Sequence, residues 1–383
     1  KDNGNWLSRS PRALRHETHR RSSGGLSQRM STRYTRDGSP KLEQHLTHVC
    51  EQVREGIRAI IPTTKLEGIA LAGGYGRGEG GVLRTKDGDK PYNDLEFFVF
   101  VRGSTFLNDR RYKASLHELG ERLTPAAGIE VEFKIISSAT LSQAAPSMFY
   151  YDLVMGHRWL IGDDSLLENA GHHREASRIP LHEVTRLLFN RCSGLLFAKA
   201  RLQQGSFTAE DADFVARNIA KAQLALGDAL LAADGRYHWS CIERHERLAA
   251  DESLQQHHAE GVAFKLHPQR STQSREELAK LHAEVSSLAM DLFLRLEGQR
   301  LAKPFPDASA YASSKNNKCP EQPAWKNILH NLRAPHLALG IPQPIERHPR
   351  EALLHALTEM LWIKATVHRQ RLQAYETLWH RFN

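Results

Sequence analysis

The sequence has few cysteines and no long hydrophobic run. Its four cysteines lie far apart among 383 residues: Cys50, Cys192, Cys241 and Cys319. This spacing excludes a disulfide scaffold and a cysteine-based zinc module, and it is typical of a reducing compartment. No apolar stretch reaches the length that a bilayer-spanning helix needs. With 40% hydrophobic and 25% charged residues, the composition is that of a globular protein, so we expect a cytoplasmic protein without a membrane partner.

Positive charge is concentrated at the N-terminus. Residues 1–40 hold nine basic and three acidic side chains, whereas the remaining 343 residues hold 43 basic and 41 acidic ones. A near-neutral body argues against long nucleic acid as a partner, because such binding needs a basic surface. The tail is rich in Arg, Ser and Gly, so we expect it to be disordered, although an organellar transit peptide has a similar composition. Alternatively, Met30 is the natural start and residues 1–29 are a flank or a tag.

Hydrophobic periodicity predicts alternating helices and strands in the first part of the chain. Apolar side chains recur at helical spacing over residues 42–60 and again over residues 106–123. Strands are predicted at Leu66–Leu71, at Leu95–Val101 and at residues 129–136. The second of these is apolar on both faces, as expected for the centre of a sheet.

Beyond residue 150 the sequence is predicted to be mainly helical. Helical patterns cover residues 181–204, 208–233, 273–299 and 349–380. Seven prolines break the segment 300–348, which is expected to be a connector around one short helix at 324–333. The predicted fold class is α+β. The predicted parts are a disordered tail (1–40), a small α/β domain with a mixed sheet (41–150) and a C-terminal helical bundle (151–383).

The scattered histidines give no metal-binding motif. None of the twenty-one histidines forms an H-E-x-x-H sequence. The adjacent pairs His172–His173 and His257–His258 are predicted to be exposed loop residues, because neighbours on one element do not converge on one metal. Neither a G-x-S-x-G sequence nor a Walker A sequence occurs.

A glycine cluster at residues 73–81 follows the first strand. At Gly73 and Gly74 the missing β-carbons let backbone N–H groups approach a ligand closely, and amides turned toward one point bind anions. Arg77 adds a fork-shaped phosphate donor. A merely flexible loop, with Arg77 in a structural ion pair, is the alternative.

Two acidic residues open the second strand. Asp94 and Glu96 are two positions apart, so they project from the same face, roughly 6.5–7 Å apart. Carboxylates are ligands that Mg²⁺ prefers, and two of them can bridge metal ions about 3.5–4 Å apart. The next strand offers a third carboxylate, from Glu132 or Glu130, on a face shared with Lys134. Both glutamates could instead be solvent-exposed, and Lys134 could bind phosphate or form a salt bridge.

Taken together, these residues resemble the DNA polymerase β-like nucleotidyltransferase superfamily, whose signature is a Gly-Gly or Gly-Ser pair, a D-x-D/E pair and a third acidic residue on a later strand. The resemblance is greatest to aminoglycoside-type members. GGYGRG at 73–78 has the spacing of their G-S-x-x-R-G element, and PYNDLEFF at 91–98 is similar to their P-Y-S-D-I-E segment. The resemblance rests on specific sequence motifs over residues 66–137, and beyond residue 150 it rests only on the helical architecture.

The resemblance implies Mg²⁺-dependent transfer of a nucleoside monophosphate (NMP) group from an NTP, expected to be ATP, to an acceptor hydroxyl. Gly73, Gly74 and Arg77 would hold the β- and γ-phosphates. Asp94 and Glu96 would bind two Mg²⁺ ions, and Glu132 (Glu130 as the alternate) would complete the metal site or act as base. A small-molecule acceptor is expected. The alternatives are adenylylation of a protein or RNA partner, as in toxin-neutralising members, and an inactive nucleotide-binding or interaction module of the same fold. The acceptor and the oligomeric state stay open.

Overall fold

A computed structural model of the chain describes residues 33–248, 252–333 and 339–382. All of them belong to one compact unit, Ser31–Asn383. The fold is α+β, with a mixed four-stranded sheet and a C-terminal helical region, as the sequence predicted. Within the described ranges, no helix is both long and apolar enough to cross a bilayer.

All strands of the described chain lie before residue 162, interspersed with helices. The strands are β1 (Leu66–Leu71), β2 (Val82–Thr85), β3 (Gly88–Pro91), β4 (Leu95–Val101), β5 (Val131–Ile136) and β6 (Arg158–Ile161). The α-helices in this part are α1 (Pro40–Ile60), α2 (Gly73–Gly76), α3 (Thr105–Ala127), α4 (Ser138–Gln143) and α5 (Met148–Met155). The predicted strands β1 and β4 have the bounds that the sequence indicated, and β5 starts two residues later.

Four strands form the sheet in the order β5–β4–β1–β6. β4 runs antiparallel to β1 and parallel to β5, while β6 pairs antiparallel with β1. β2 and β3 form a separate hairpin. β6 was not predicted, because its four residues are all only half-buried and give no apolar alternation. The sheet therefore extends beyond residue 150.

The central strand β4 separates two hydrophobic cores. Leu95, Phe97 and Val99 pack on the side of α1 and α3, and Phe98 and Phe100 pack on the other side with residues of α4 and α5. Both sides of β4 are thus covered, as predicted. The two carboxylates at its start share the face of Phe98, because side chains alternate along a strand.

The packed region begins earlier than the predicted boundary at residue 41. Tyr34 and Thr35 are buried, and the backbone N–H of Gly80 donates to the carbonyl of Tyr34 at 3.1 Å. Residues 33–39 therefore pack against the glycine cluster, which corrects the prediction of a disordered tail for this stretch. Residues 1–32 lie outside the described residues.

The remaining chain is helical. Its α-helices are α6 (Leu181–Leu202), α7 (Ala209–Ala233), α8 (Cys241–Arg247), α9 (Glu252–Leu266), α10 (Arg275–Arg300), α11 (Ala308–Ser313), α12 (Ala324–Arg333), α13 (Arg350–Thr358) and α14 (Arg369–Phe382). Capping boxes begin α7 and α10, which explains their sharp starts. The predicted helices that end at residues 204, 233, 299 and 333 are all present.

The single long helix predicted over residues 349–380 is wrong. α13 ends at Thr358, a π-helical turn covers Glu359–Ile363, and α14 begins only at Arg369. The ammonium group of Lys199 on α6 donates to three backbone carbonyls at this break, at 2.7–3.0 Å. It thereby satisfies acceptors that a helix end leaves free. A cap from a residue 161 positions away along the chain leaves no trace in the local periodicity.

The histidine pairs are not exposed loop residues. His258 lies on α9, is fully buried, and has its Nε2 3.0 Å from Oδ1 of Asp228 on α7. His173 lies in a 3₁₀ segment and is buried against the carbonyl of Leu141 at 2.9 Å. Each buried imidazole has a hydrogen-bond partner from a distant element, which sequence adjacency does not reveal.

Candidate metal and nucleotide site

Antiparallel pairing brings the glycine turn to the acidic pair. β1 ends where β4 begins, so the chain that leaves β1 passes directly beside Glu96; the Ala72 N–H donates to the Glu96 carbonyl at 2.9 Å. Gly73 has a φ of +63°, and a β-carbon there would lie 3.0 Å from Oε2 of Glu96. Glycine is needed here both for the backbone conformation and for the close approach.

Three carboxylates converge at this point. Oxygen atoms of Asp94, Glu96 and Glu132 all lie within 4.8 Å of one another. Glu96 and Glu132 sit opposite each other in the parallel register of β4 and β5, and Asp94 precedes β4 by one residue. Asp94 is exposed and the two glutamates are half-buried. The cluster therefore offers hard oxygen ligands, open to solvent on one side, of the kind that a divalent cation uses.

Glu130, the alternate third carboxylate, is placed differently. It is exposed just before β5, where its backbone carbonyl accepts the N–H of Leu95 at 2.8 Å. Among the described residues, the group of carboxylates close enough to share an ion contains Glu132 and not Glu130. Glu130 still adds negative charge near the cluster.

The carboxylates repel one another. Although the Asp94 side chain is exposed on one side, the protein around it displaces water from the carboxylate; this desolvation, followed by the charge of Glu96, raises the pKa of Asp94 above its ordinary value. Burial also raises the pKa of Glu132; the ammonium of Lys134 works against this, while Asp94, Glu130 and Glu96 add to it. Like charges that are held together disfavour ionisation. A bound cation would relieve this repulsion.

Lys134 already occupies one side of the cluster. Its Nζ lies 2.8 Å from Oε1 of Glu96 and 3.7 Å from Oε2 of Glu132. It also lies over the rings of Phe98 and Phe149, at 5.7 and 5.9 Å from their centroids. Burial alone would lower the pKa of Lys134, but the hydrogen bond to Glu96 and the surrounding carboxylates raise it. A divalent cation must therefore share the carboxylates with this ammonium group or displace it.

Arg77 is held in an ion pair. Its Nη1 lies 2.9 Å from Oδ2 of Asp152 on α5, and its side chain is 11% exposed. Burial would lower the pKa of Arg77, but Asp152 together with Tyr237 and Glu79 outweighs it, and the pKa is raised. This is the ion-pair alternative that the sequence left open for Arg77, and it ties the end of α2 to α5.

The first turn of α2 carries the remaining phosphate-binding candidates. The N–H groups of Gly73 and Gly74 begin a helical turn, so they have no intrahelical acceptor. The N–H of Glu79 donates to the carbonyl of Gly74 at 2.8 Å, which folds the cluster back on itself. A β-carbon on Gly74 would lie 3.0 Å from the Glu79 carbonyl oxygen, so the tight fold favours glycine here too.

Glu79 is a structural link that the sequence analysis missed. Its carboxylate accepts a hydrogen bond from the Ser240 hydroxyl and another, at 3.0 Å, from the Cys241 N–H, and thereby caps the start of α8. The same carboxylate lies 3.7 Å from Nζ of Lys265 on α9. Burial would raise the pKa of Glu79, but Lys265 and these hydrogen bonds lower it to about 2. A glutamate between glycines looks like a solvent-exposed loop residue, so local sequence gave no signal.

One lysine of the helical region interacts electrostatically with the carboxylate cluster. Burial and the neighbouring cations Arg191 and Arg217 lower the pKa of Lys221 on α7, and the charge of Asp94 acts in the opposite direction. Among 52 Lys and Arg residues, no spacing singled it out.

Comparison with known proteins does not assign a family. No protein-family model matches the chain. No curated protein matches it either. The function is therefore inferred from the site.

Proposed function

We propose that the protein is an Mg²⁺-dependent nucleotidyltransferase that moves an NMP group from an NTP, expected to be ATP, to a hydroxyl of a small-molecule acceptor. The observation that carries the proposal is the convergence of Asp94, Glu96 and Glu132 within 4.8 Å, directly beside the Gly73 turn. Three carboxylates from two neighbouring strands, next to free backbone amides, suit a metal-bound triphosphate. The resemblance in sequence supports the same reaction.

The donor set fits a divalent cation. Asp94, Glu96 and Glu132 would hold the two Mg²⁺ ions, which would supply charge neutralisation at the phosphates. Glu132 either completes this site or accepts the proton of the acceptor hydroxyl. The N–H groups of Gly73 and Gly74 would bind phosphate oxygens, with Arg77 acting through its ion pair to Asp152, which fixes the turn. Lys134 supplies positive charge 2.8 Å from Glu96, and Lys221 interacts electrostatically with Asp94.

A cavity of the size that a small acceptor needs lies in the helical region, and Asp94, Glu96 and Glu132 are not among its lining residues. It measures about 690 Å³ and lies between α7, α9 and α10, a volume in the range of small-molecule sites. Phe264, one of its lining residues, packs edge-on against Tyr92, two positions before Asp94, at 6.3 Å between ring centroids. The polar part of the lining includes Gln223, Gln256, His257, Glu260 and Glu284. Amides and carboxylates of this kind suit a hydroxylated, polar molecule.

One observation favours the second candidate, an inactive nucleotide-binding module. The ammonium of Lys134 neutralises part of the carboxylate cluster at 2.8 Å from Glu96. In a module that no longer binds metal, the Lys134–Glu96 ion pair would stay intact. The two candidates thus differ in whether a divalent cation displaces the ammonium group of Lys134 from Glu96.

The transfer reaction itself tests the proposal. The full chain is incubated with each α-³²P-labelled NTP, Mg²⁺ and a panel of acceptors that includes aminoglycosides, lincosamides and the protein itself. We expect label on one acceptor, release of pyrophosphate, and loss of both after chelation of Mg²⁺. A rise in melting temperature with Mg²⁺ and NTP but no transfer to any acceptor would favour the inactive module. If the protein shows no nucleotide binding and no transfer, both candidates are contradicted.

A further inference from the structure

Helix α12 has its polar side turned toward the protein. Nδ2 of Asn327 donates to the backbone carbonyls of Gln322 and Glu346, at 3.3 and 3.0 Å. Nδ2 of Asn331 donates to the carbonyls of Ile345 and Arg347, at 2.6 and 2.7 Å. Both asparagines are buried. These four hydrogen bonds fix the orientation of the helix about its axis.

The opposite side of α12 is apolar and exposed. Trp325, Ile328, Leu329 and Leu332 follow the i, i+3, i+4, i+7 spacing of one helix face, with side chains 61%, 36%, 45% and 70% exposed. Ile345, whose carbonyl binds Asn331, is 45% exposed beside them. These five residues, the α12 face, make up five of the nine large exposed hydrophobic residues in the described chain. Such concentration marks an interaction surface, since scattered apolar residues would need no explanation.

Helix α12 itself carries charge of one sign. Its ten residues include Lys326, His330 and Arg333 and no Asp or Glu, and the nearest exposed acid along the chain on its C-terminal side is Glu346, beside Ile345. The ammonium of Lys326 lies 5.4 Å from the centroid of the Trp325 ring, at the border between the apolar and the polar side. An anionic surface complements this arrangement.

We propose that the α12 face docks on an anionic lipid surface. Interfacial helices combine a stripe of Trp and aliphatic residues with basic residues on the polar side, and they lie in the plane of the headgroups. Acidic headgroups attract the basic residues while the apolar side chains enter the boundary of the acyl chains. The lack of a membrane-spanning helix does not bear on such contact.

A second copy of the chain fits this face less well. A ten-residue helix is about 15 Å long, so one of its faces offers much less than the roughly 800 Å² per partner of a standard interface. Positions 326, 330 and 333 fall on the same flank of the helix, at 100° per residue. Antiparallel pairing of two copies would bring these basic flanks together, which is unfavourable.

Vesicle co-sedimentation tests the proposal. The full chain is mixed with phosphatidylcholine vesicles, with and without phosphatidylglycerol, and compared with the Trp325→Gln/Leu329→Gln double variant. Phe106→Gln/Leu107→Gln is the matched control, because these two residues are 67% and 63% exposed on α3. We expect the wild type and the control variant to bind vesicles that contain phosphatidylglycerol and not to bind vesicles of pure phosphatidylcholine. The α12 variant should bind the phosphatidylglycerol vesicles at least tenfold more weakly.

The basic N-terminal tail is the same in all three proteins, so it cannot produce a difference between them. Equal binding of the α12 variant and the wild type would therefore overturn the proposal. Failure of the wild type to bind the anionic vesicles would also overturn it, in favour of a protein partner. A dimer in analytical ultracentrifugation that only the α12 variant breaks would assign the face to a second copy instead.

Discussion

The Asp94→Asn variant is expected to transfer NMP at least about 10³-fold more slowly, because it removes a group that would stabilise transition-state charge through metal ions. The free energy of unfolding should not fall with the transfer rate. Desolvation and the charge of Glu96 raise the pKa of Asp94, so its ionised form costs more free energy in the folded protein than in the unfolded chain. Neutral asparagine relieves this repulsion, and the midpoint of denaturant unfolding should stay the same or rise.

Asp87→Asn is the matched control for this prediction. Asp87 is exposed in the turn between β2 and β3, so its replacement makes the same change of charge outside the carboxylate cluster. Transfer and unfolding midpoint should both stay at wild-type values. A marked drop in the stability of Asp94→Asn would show that Asp94 holds the fold together, and unchanged transfer would remove it from the site.

Asp228→Asn is expected to destabilise the protein by about 3–5 kcal/mol, because it leaves a buried cation without its partner. Oδ1 of Asp228 accepts hydrogen bonds from Nε of Arg244, at 2.5 Å, and lies 3.0 Å from Nε2 of His258. All three side chains are buried. Chemical denaturation at pH 7 measures the loss. Glu243→Gln, which breaks the more exposed Arg247–Glu243 pair on α8, should cost less than about 1 kcal/mol.

The effect of Asp228→Asn should also depend on pH. Burial would raise the pKa of Asp228, but Arg244 and His258 outweigh it and lower the pKa to about 2. The carboxylate therefore stabilises the folded state above its unfolded pKa, near 4, and this contribution is lost as the pH falls toward 2. The difference in unfolding free energy between wild type and variant should narrow over that range. A constant difference down to pH 2 would contradict the ion-pair account.

Local periodicity was enough to predict the elements that position the site. β4 lies between two hydrophobic cores and is therefore apolar on both faces. Its nearly continuous apolar sequence identified it as a central strand. The alternation of β5 left Glu130 and Glu132 as alternatives for the third carboxylate, and the parallel register of the structure puts Glu132 opposite Glu96. These features depend on neighbours in sequence and on the alternation of side chains along a strand.

The rest of the site depends on contacts between distant segments. Arg77 meets Asp152, and Glu79 caps α8 and approaches Lys265. No periodicity encodes such pairs, because each is set by the packing of the helical region against the sheet. For the same reason the break after Thr358, capped by Lys199, and the burial of His258 were missed.

Anomalous diffraction from crystals grown with Mn²⁺ and a non-hydrolysable NTP tests the central claim most directly. The account predicts a manganese peak coordinated by carboxylate oxygens of Asp94, Glu96 and Glu132, with Lys134 moved off Glu96 and the triphosphate against the turn at Gly73–Gly74. Crystals that show no peak among these carboxylates, with the Lys134–Glu96 pair intact and the nucleotide absent or elsewhere, would contradict it.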